Sequence, residues 1–150
     1  MFSSDLEKRF DLVNQSYKEI DSIYHSVAVR FGISDSVMWV LYTICDIDGP
    51  CTQHDICSHV FLPKQTVNSA ISALIKSGDI YLEPVPDMGK KKIIKLTEKG
   101  KTLADSTVRL LWEAEVRAFG RFSKDEQDIY LKQTRQHISY MREEFDKIFK

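Results

Sequence analysis

Residues 52–100 constrain the fold more than any other stretch. They read, in order, a helix start (Thr52-Gln53-His54-Asp55), a short helix anchored by Ile56 and Val60, a second helix opened by Pro63 and stopped by Gly78, and a lysine-tipped hairpin that runs into Leu96-Thr97-Glu98-Lys99-Gly100. A short helix, a turn, a second helix with polar residues crowding its first turns and a basic hairpin is the order of a winged helix-turn-helix. A helix N-terminus dressed in small polar side chains fits a DNA major groove, and a lysine hairpin reaches the phosphates beside it.

Local chemistry sets each boundary. Thr52 is an N-cap, with Asp55 three residues on in a weak capping-box arrangement. Phe61 and Leu62 form the tight turn, and Pro63 sits where its missing N–H costs nothing. Val67, Ile71, Leu74 and Ile75 recur at helical spacing and are expected to face the core. That leaves Lys64, Gln65, Asn68, Ser69 and Ser72 outward, with Thr66 at the edge. Gln65 and Asn68 carry amides that pair bidentately with adenine, each worth about 1–3 kcal/mol of discrimination. Lys64 suits a phosphate. The plain alternative is that all six are ordinary solvated helix residues. Residues 80–85 read as a strand that Pro84 confines to an edge, 86–89 as a turn and 91–96 as the returning strand.

Long helices flank this segment. Leu6, Phe10, Val13, Tyr17, Ile20, Tyr24, Val27 and Phe31 alternate at steps of four and three, one stripe on a helix of about seven turns that Gly32 ends. Such a stripe is too long for a small domain to bury, so part of it is expected to pack on another long helix from a second chain. Ser34 caps a helix to about residue 45, with Val37, Val40, Leu41 and Ile44 inward, and 46–50 is a turn. Thr97 caps a helix that runs from Glu98 past Trp112 to about Phe119, with Leu103, Val108, Leu111, Trp112 and Ala118 on its apolar face. Ser123 and Glu126 form a capping box for the last helix, striped by Ile138, Met141, Phe145 and Ile148. The expected fold is a single domain over 1–150, mostly α with a small β-wing. A winged-helix lobe occupies about 34–100, and dimerisation helices occupy about 1–31 and 101–150.

Net charge is −1, which at first argues against a nucleic-acid partner. The distribution argues for one. Residues 31–59 hold four acids and no Lys or Arg, whereas 60–101 hold eight lysines against four acids. Charge on the binding face, not on the whole chain, is the relevant quantity. Lysines on a solvated surface are the bland reading. No apolar run reaches the ~20 residues of a membrane span, and the first ten residues lack the apolar core of a secretory signal. Three cysteines without a C-x-x-C make a disulfide framework unexpected and point to a reducing cytoplasm.

Over essentially its full length the chain resembles the MarR family of bacterial transcriptional regulators. Residues 52–80 are similar, without a gap, to the family's T-x-x-E-L-A…L-x-x-S-T-V-x-x-x-V-x-x-L-x-x-x-G-x-I, and the wing exit Ile93-Ile94-Lys95-Leu96-Thr97-Glu98-Lys99-Gly100 resembles its L-x-x-L-T-x-x-G. The resemblance implies a homodimer on a pseudo-palindromic double-stranded DNA operator, acting as a repressor that a small apolar or aromatic ligand releases. The residues read above as the outer face of the second helix and as the hairpin tip, Lys64, Gln65, Thr66, Asn68, Ser69, Ser72, Lys90, Lys91 and Lys92, are the expected DNA contacts. The wing tip departs from the family's Asp-x-Arg: it reads Asp87-Met88-Gly89-Lys90, and Ser69 and Ala73 stand where relatives often carry Arg. Without an arginine the wing is reduced to phosphate contacts.

Tyr24, His25, Phe31, Trp39 and Tyr42 gather near the junction of the first two helices. The plain reading is core; the resemblance places an effector pocket there. Cys45 and Cys57 read as small hydrophobes, and Cys51, beside Pro50, is expected at the surface. The family's thiol sensors use a cysteine near the start of the first helix, and none stands there. Cys51, His54, Cys57 and His59 do not match a common zinc pattern, and no cofactor or metal is expected. No phosphate loop, triad or nucleophile elbow suggests an enzyme. The rival reading is a winged-helix protein-interaction module without sequence-specific DNA binding, favoured by the missing arginines and the mild net charge.

Overall fold

The computed structural model describes residues 3–86 and 91–149. Lys90 and the turn at 87–89 lie outside the described residues. The chain divides into two compact units, Met1–Arg109 and Leu110–Lys150.

In the first unit, α1 (Ser4–Phe31) starts at Ser3, whose side chain accepts from the Leu6 N–H. It ends where the Gly32 and Ile33 amides fold back on the Val29 and Ala28 carbonyls. Only Ala28 is fully buried on this 28-residue helix. Leu6, Phe10, Tyr17 and Ile20 remain 44–53% exposed within one chain. Helix α2 (Asp35–Asp46), capped by Ser34, is the central element. It buries Met38, Val40, Leu41, Thr43 and Ile44 and touches α1, α3 (Gln53–Val60), α4 (Lys64–Lys76) and α5 (Glu98–Ser106).

The sheet has the order β1-β3-β2, formed by β1 (Cys51–Thr52), β2 (Ile80–Pro84) and β3 (Lys92–Leu96), all antiparallel. Sequence reasoning missed β1, because two residues carry no periodicity. Pairing Cys51 with Ile94 turns the Cys51 side chain inward, so this residue is buried, not at the surface as expected. Pro84 ends β2 on the sheet edge, where its missing N–H leaves no gap in the ladder.

The core beneath the sheet joins Val40, Ile56, Val67, Ala70, Ile71, Leu74, Ile80 and Ile94. Ile75, expected among them, is 40% exposed. It stands about 100° round the helix from Leu74, and Ala70 fills the inward row instead. Gly78 adopts φ +78°, and the Gly78 and Asp79 amides donate to the Ile75 and Leu74 carbonyls at 3.0 and 2.9 Å, closing α4 with a Schellman turn.

The helix expected from Glu98 to about Phe119 is broken. Thr107 separates α5 from α6 (Val108–Phe119) with φ −132° and ψ −92°. Its hydroxyl donates to the Leu103 carbonyl at 2.5 Å. This back-bonding by a β-branched residue competes with the helical ladder. Trp112, expected on a buried face, is 52% exposed, and Ala118 is also exposed.

In the second unit, α7 (Lys124–Ile148) opens with the complete Ser123–Glu126 capping box. The Phe119, Phe122 and Tyr130 rings cluster at centroid distances of 5.9–6.2 Å. Ile138, Phe145 and Ile148 are exposed along α7. Among the described residues no single helix is long and apolar enough to cross a membrane.

Candidate nucleic-acid interface

The interface begins at Thr52. Its hydroxyl accepts from the Asp55 N–H, and the Asp55 carboxylate accepts from the Thr52 N–H at 2.8 Å and from its hydroxyl at 2.6 Å. These bonds hold the Asp55 carboxyl below its ordinary range. Between α3 and α4 the chain turns at Phe61, which takes a left-handed conformation (φ 51°, ψ 28°) while 90% exposed. Pro63 then opens α4 with no side-chain cap, leaving the first N–H groups of that helix without a local partner from the cap.

Burial of Val67, Ala70, Ile71 and Leu74 fixes the rotation of α4. Lys64, Gln65, Asn68, Ser69 and Ser72 consequently stand exposed, and Thr66 is half-buried. The Ser69 hydroxyl donates back to the Gln65 carbonyl at 3.0 Å. The Asn68 side-chain oxygen accepts from the Gln53 amide at the start of α3.

On the wing, Lys91 and Lys92 are exposed. Other lysines are engaged: Lys95 with Glu83 at 3.0 Å, Lys101 with Glu98 at 2.6 Å, and Lys99 at 3.8 Å from the buried Asp79 carboxylate. Charge available to a ligand is therefore narrower than the lysine count suggests: among the described residues of 60–101 it rests on Lys64, Lys76, Lys91 and Lys92, with Lys64 at the start of α4, Lys76 at its end and the other two on the wing. A cleft of about 650 Å³ separates the start of α3 from the wing and is lined by Thr52, Gln53, His54, Lys91 and Lys92 among others.

A second cleft, of about 770 Å³, brings Tyr24, His25 and Trp39 together with Asp35, Leu62 and Thr66. Tyr24 meets Trp39 edge-on at 4.8 Å, and His25 Nδ1 lies 3.0 Å from both Asp35 oxygens. Tyr42 meets the Trp39 ring at a centroid distance of 5.8 Å, and neither it nor Phe31 is among the residues lining the cleft. Leu62 and Thr66 belong to the turn before α4 and to its first turn, so this cleft abuts the base of the outward polar face. Among the described residues no three His, Cys, Asp or Glu side chains are grouped to hold a metal ion.

Sequence reasoning gave Gln53 no contact beyond its own helix start, and placed Phe61 in the turn without its left-handed backbone. Nothing at position 53 advertises a contact fifteen residues away. Phe61 left a sharper trace: an aromatic residue just past a helix end, where glycine or asparagine usually supplies the left-handed turn.

Residues 31–90 match the family model described as MarR family. No curated protein matches the chain significantly. Among solved structures the chain is similar to NMB1585, a MarR family regulator from Neisseria meningitidis, at 23% identity and TM-score 0.74, covering 95% of this chain and 99% of that one. It is also similar to MepR of S. aureus in a DNA complex (21%, TM-score 0.70, 87% and 94% covered). A third is BpsR of Bordetella bronchiseptica, from a study of regulation of DNA binding by 6-hydroxynicotinic acid (18%, TM-score 0.66, 87% and 98% covered). Residues 31–90 thus match the MarR family model, and the chain as a whole shares the winged-helix fold of the solved MarR-family structures.

Proposed function

We propose that this chain is a homodimeric, sequence-specific DNA-binding repressor that a small apolar or aromatic molecule releases. One observation carries the DNA reading: core burial turns Lys64, Gln65, Asn68, Ser69 and Ser72 to one exposed face of α4, and Lys91 and Lys92 stand exposed on the wing. MepR, of similar fold, was crystallised with DNA. Helix α4 enters the major groove; Gln65 and Asn68 read base edges, Lys64, Lys91 and Lys92 hold phosphates, and Lys90, which precedes Lys91 in the sequence, is assigned the same role. Thr66, Ser69 and Ser72 complete the contact face.

The half-exposed stripe on α1 and the exposed Ile138, Phe145 and Ile148 on α7 supply the apolar surface for a second copy. The cleft at Tyr24, His25 and Trp39 receives the effector, with Phe31 and Tyr42 in its surroundings, and BpsR offers the precedent of a small aromatic acid. A ligand touching Leu62 and Thr66 favours one orientation of α4 over another, which is how it couples to DNA.

Titrating a selected duplex and a random duplex at several salt concentrations tests this reading. Lys91→Ala weakens both alike and lowers the log–log salt slope by about 0.9. Gln65→Ala weakens only the selected one. Equal losses on both duplexes for both variants refute the roles, and wild-type binding without salt dependence favours the protein-interaction module.

A further inference from the structure

Two amides from different helices meet at the edge of the reading face. Gln53, first residue of α3, is half-buried, and its Nε2 donates to Asn68 Oδ1 on α4. An unrestrained asparagine amide has a broad χ2 and presents donor or acceptor to either side. In the arrangement observed, the Gln53 N–H faces Asn68, and only the Asn68 oxygen can accept from it. The Asn68 amide nitrogen is thereby turned away from α3.

We infer that Gln53 is a positioning residue for base recognition: it fixes the orientation of the Asn68 amide so that this side chain discriminates adenine. The inference rests on the proposed DNA-binding reading. Asn68 Oδ1 keeps a second lone pair after accepting from Gln53, and Nδ2 keeps both hydrogens. The oriented amide therefore still offers one acceptor and one donor side by side, which matches the N6 donor and N7 acceptor of adenine in the major groove. Guanine presents two acceptors, O6 and N7, and its O6 would face the fixed Oδ1. Were the amide free to rotate, Nδ2 could instead donate to guanine, and discrimination would fall. Gln53 also lines the cleft beside Lys91 and Lys92, so the bond ties the recognition helix to the side on which the wing meets the backbone.

The test uses the full-length protein and the duplex it selects from a random library, together with single-base-pair variants of that duplex. Wild type and Asn68→Ala first locate the base pair that Asn68 reads, where Asn68→Ala loses roughly 5- to 150-fold of preference. Gln53→Leu, which keeps the bulk and removes the donor, is expected to lose about three- to tenfold of preference at that pair only. Affinity for random duplex stays unchanged. Gln53→Lys restores a donor to Oδ1 and is expected to recover the preference while raising affinity for every duplex. The double variant Gln53→Leu/Asn68→Ala should discriminate no worse than Asn68→Ala alone, a coupling that a merely structural role would not produce. Full preference in Gln53→Leu, or equal loss at all base pairs, overturns the inference. If wild type itself selects no site, the DNA-binding reading fails instead.

Discussion

The contact between Gly100 and Asp79 holds the start of α5 against the turn that follows α4, and Gly100→Ala breaks it. A Cβ at position 100 would stand 1.8 Å from the Asp79 carbonyl oxygen and 2.8 Å from its carbon. Both neighbours are backbone, so no flexible side chain can yield. Restoring even a 3.0 Å separation requires a shift of about 1.2 Å. The same carbonyl accepts from the Thr97 N–H at 3.0 Å, while the single Thr97 hydroxyl hydrogen has the nearer Gly78 carbonyl, at 2.7 Å, as its acceptor. Loss of that N–H bond costs about 1 kcal/mol, overpacking adds about 1–3, and the better helix propensity of alanine returns about 1. The net is a destabilisation of about 1–3 kcal/mol, or roughly 2–12 °C in Tm for a chain of this length. Calorimetry at fixed protein concentration measures it. Gly78→Ala is the contrast: its Cβ meets nothing within 4 Å, so only the positive φ opposes it, at a cost of about 1 kcal/mol. A Gly100→Ala protein as stable as wild type, or less affected than Gly78→Ala, would refute the packing argument.

Phe61→Gly relieves a left-handed phenylalanine whose side chain is 90% exposed and gives up almost no burial, so it should raise stability by about 0.5–1 kcal/mol in denaturant unfolding. The hydrogen bonds that lower the Asp55 and Glu126 pKa values stabilise the starts of α3 and α7 above the ordinary carboxylate range, and this stability is lost as pH falls through that range and below it. Thr52→Val and Ser123→Ala should therefore flatten the acid limb of a stability–pH curve. Burial, and secondarily Asp55, pushes the Cys51 thiol up to about 11 from 9.0. Native protein should modify slowly at Cys51 with a thiol reagent at pH 8. The neutral thiol's stabilising contribution, present below pH 9, should fade as pH rises toward 11.

Most of the fold was legible because its signals are local. Ser34, Thr52, Thr97 and Ser123 each cap the helix they announce, and Gly32 and Gly78 each end one. The outward face of α4 followed from helical spacing, with Ile75 misassigned because an eighth-residue repeat lies at the margin of the buried arc. What stayed hidden depends on distant partners. The two-residue β1 exists only because β3 pairs with it, and the break at Thr107 turns on a hydroxyl bond to Leu103. The Gln53–Asn68 bond joins residues that only folding brings together. Of the five residues grouped near the junction of α1 and α2, Tyr24, His25 and Trp39 line a common cleft, whereas Phe31 and Tyr42 do not.

Selection of purified protein on a random-sequence duplex library of about two helical turns tests the central claim most directly. A dimer that places one α4 in each of two successive major grooves predicts enrichment of an inverted repeat with half-site centres about 34–36 Å apart. Enrichment of a single half-site, or of no sequence at all with only weak salt-sensitive binding, would contradict it.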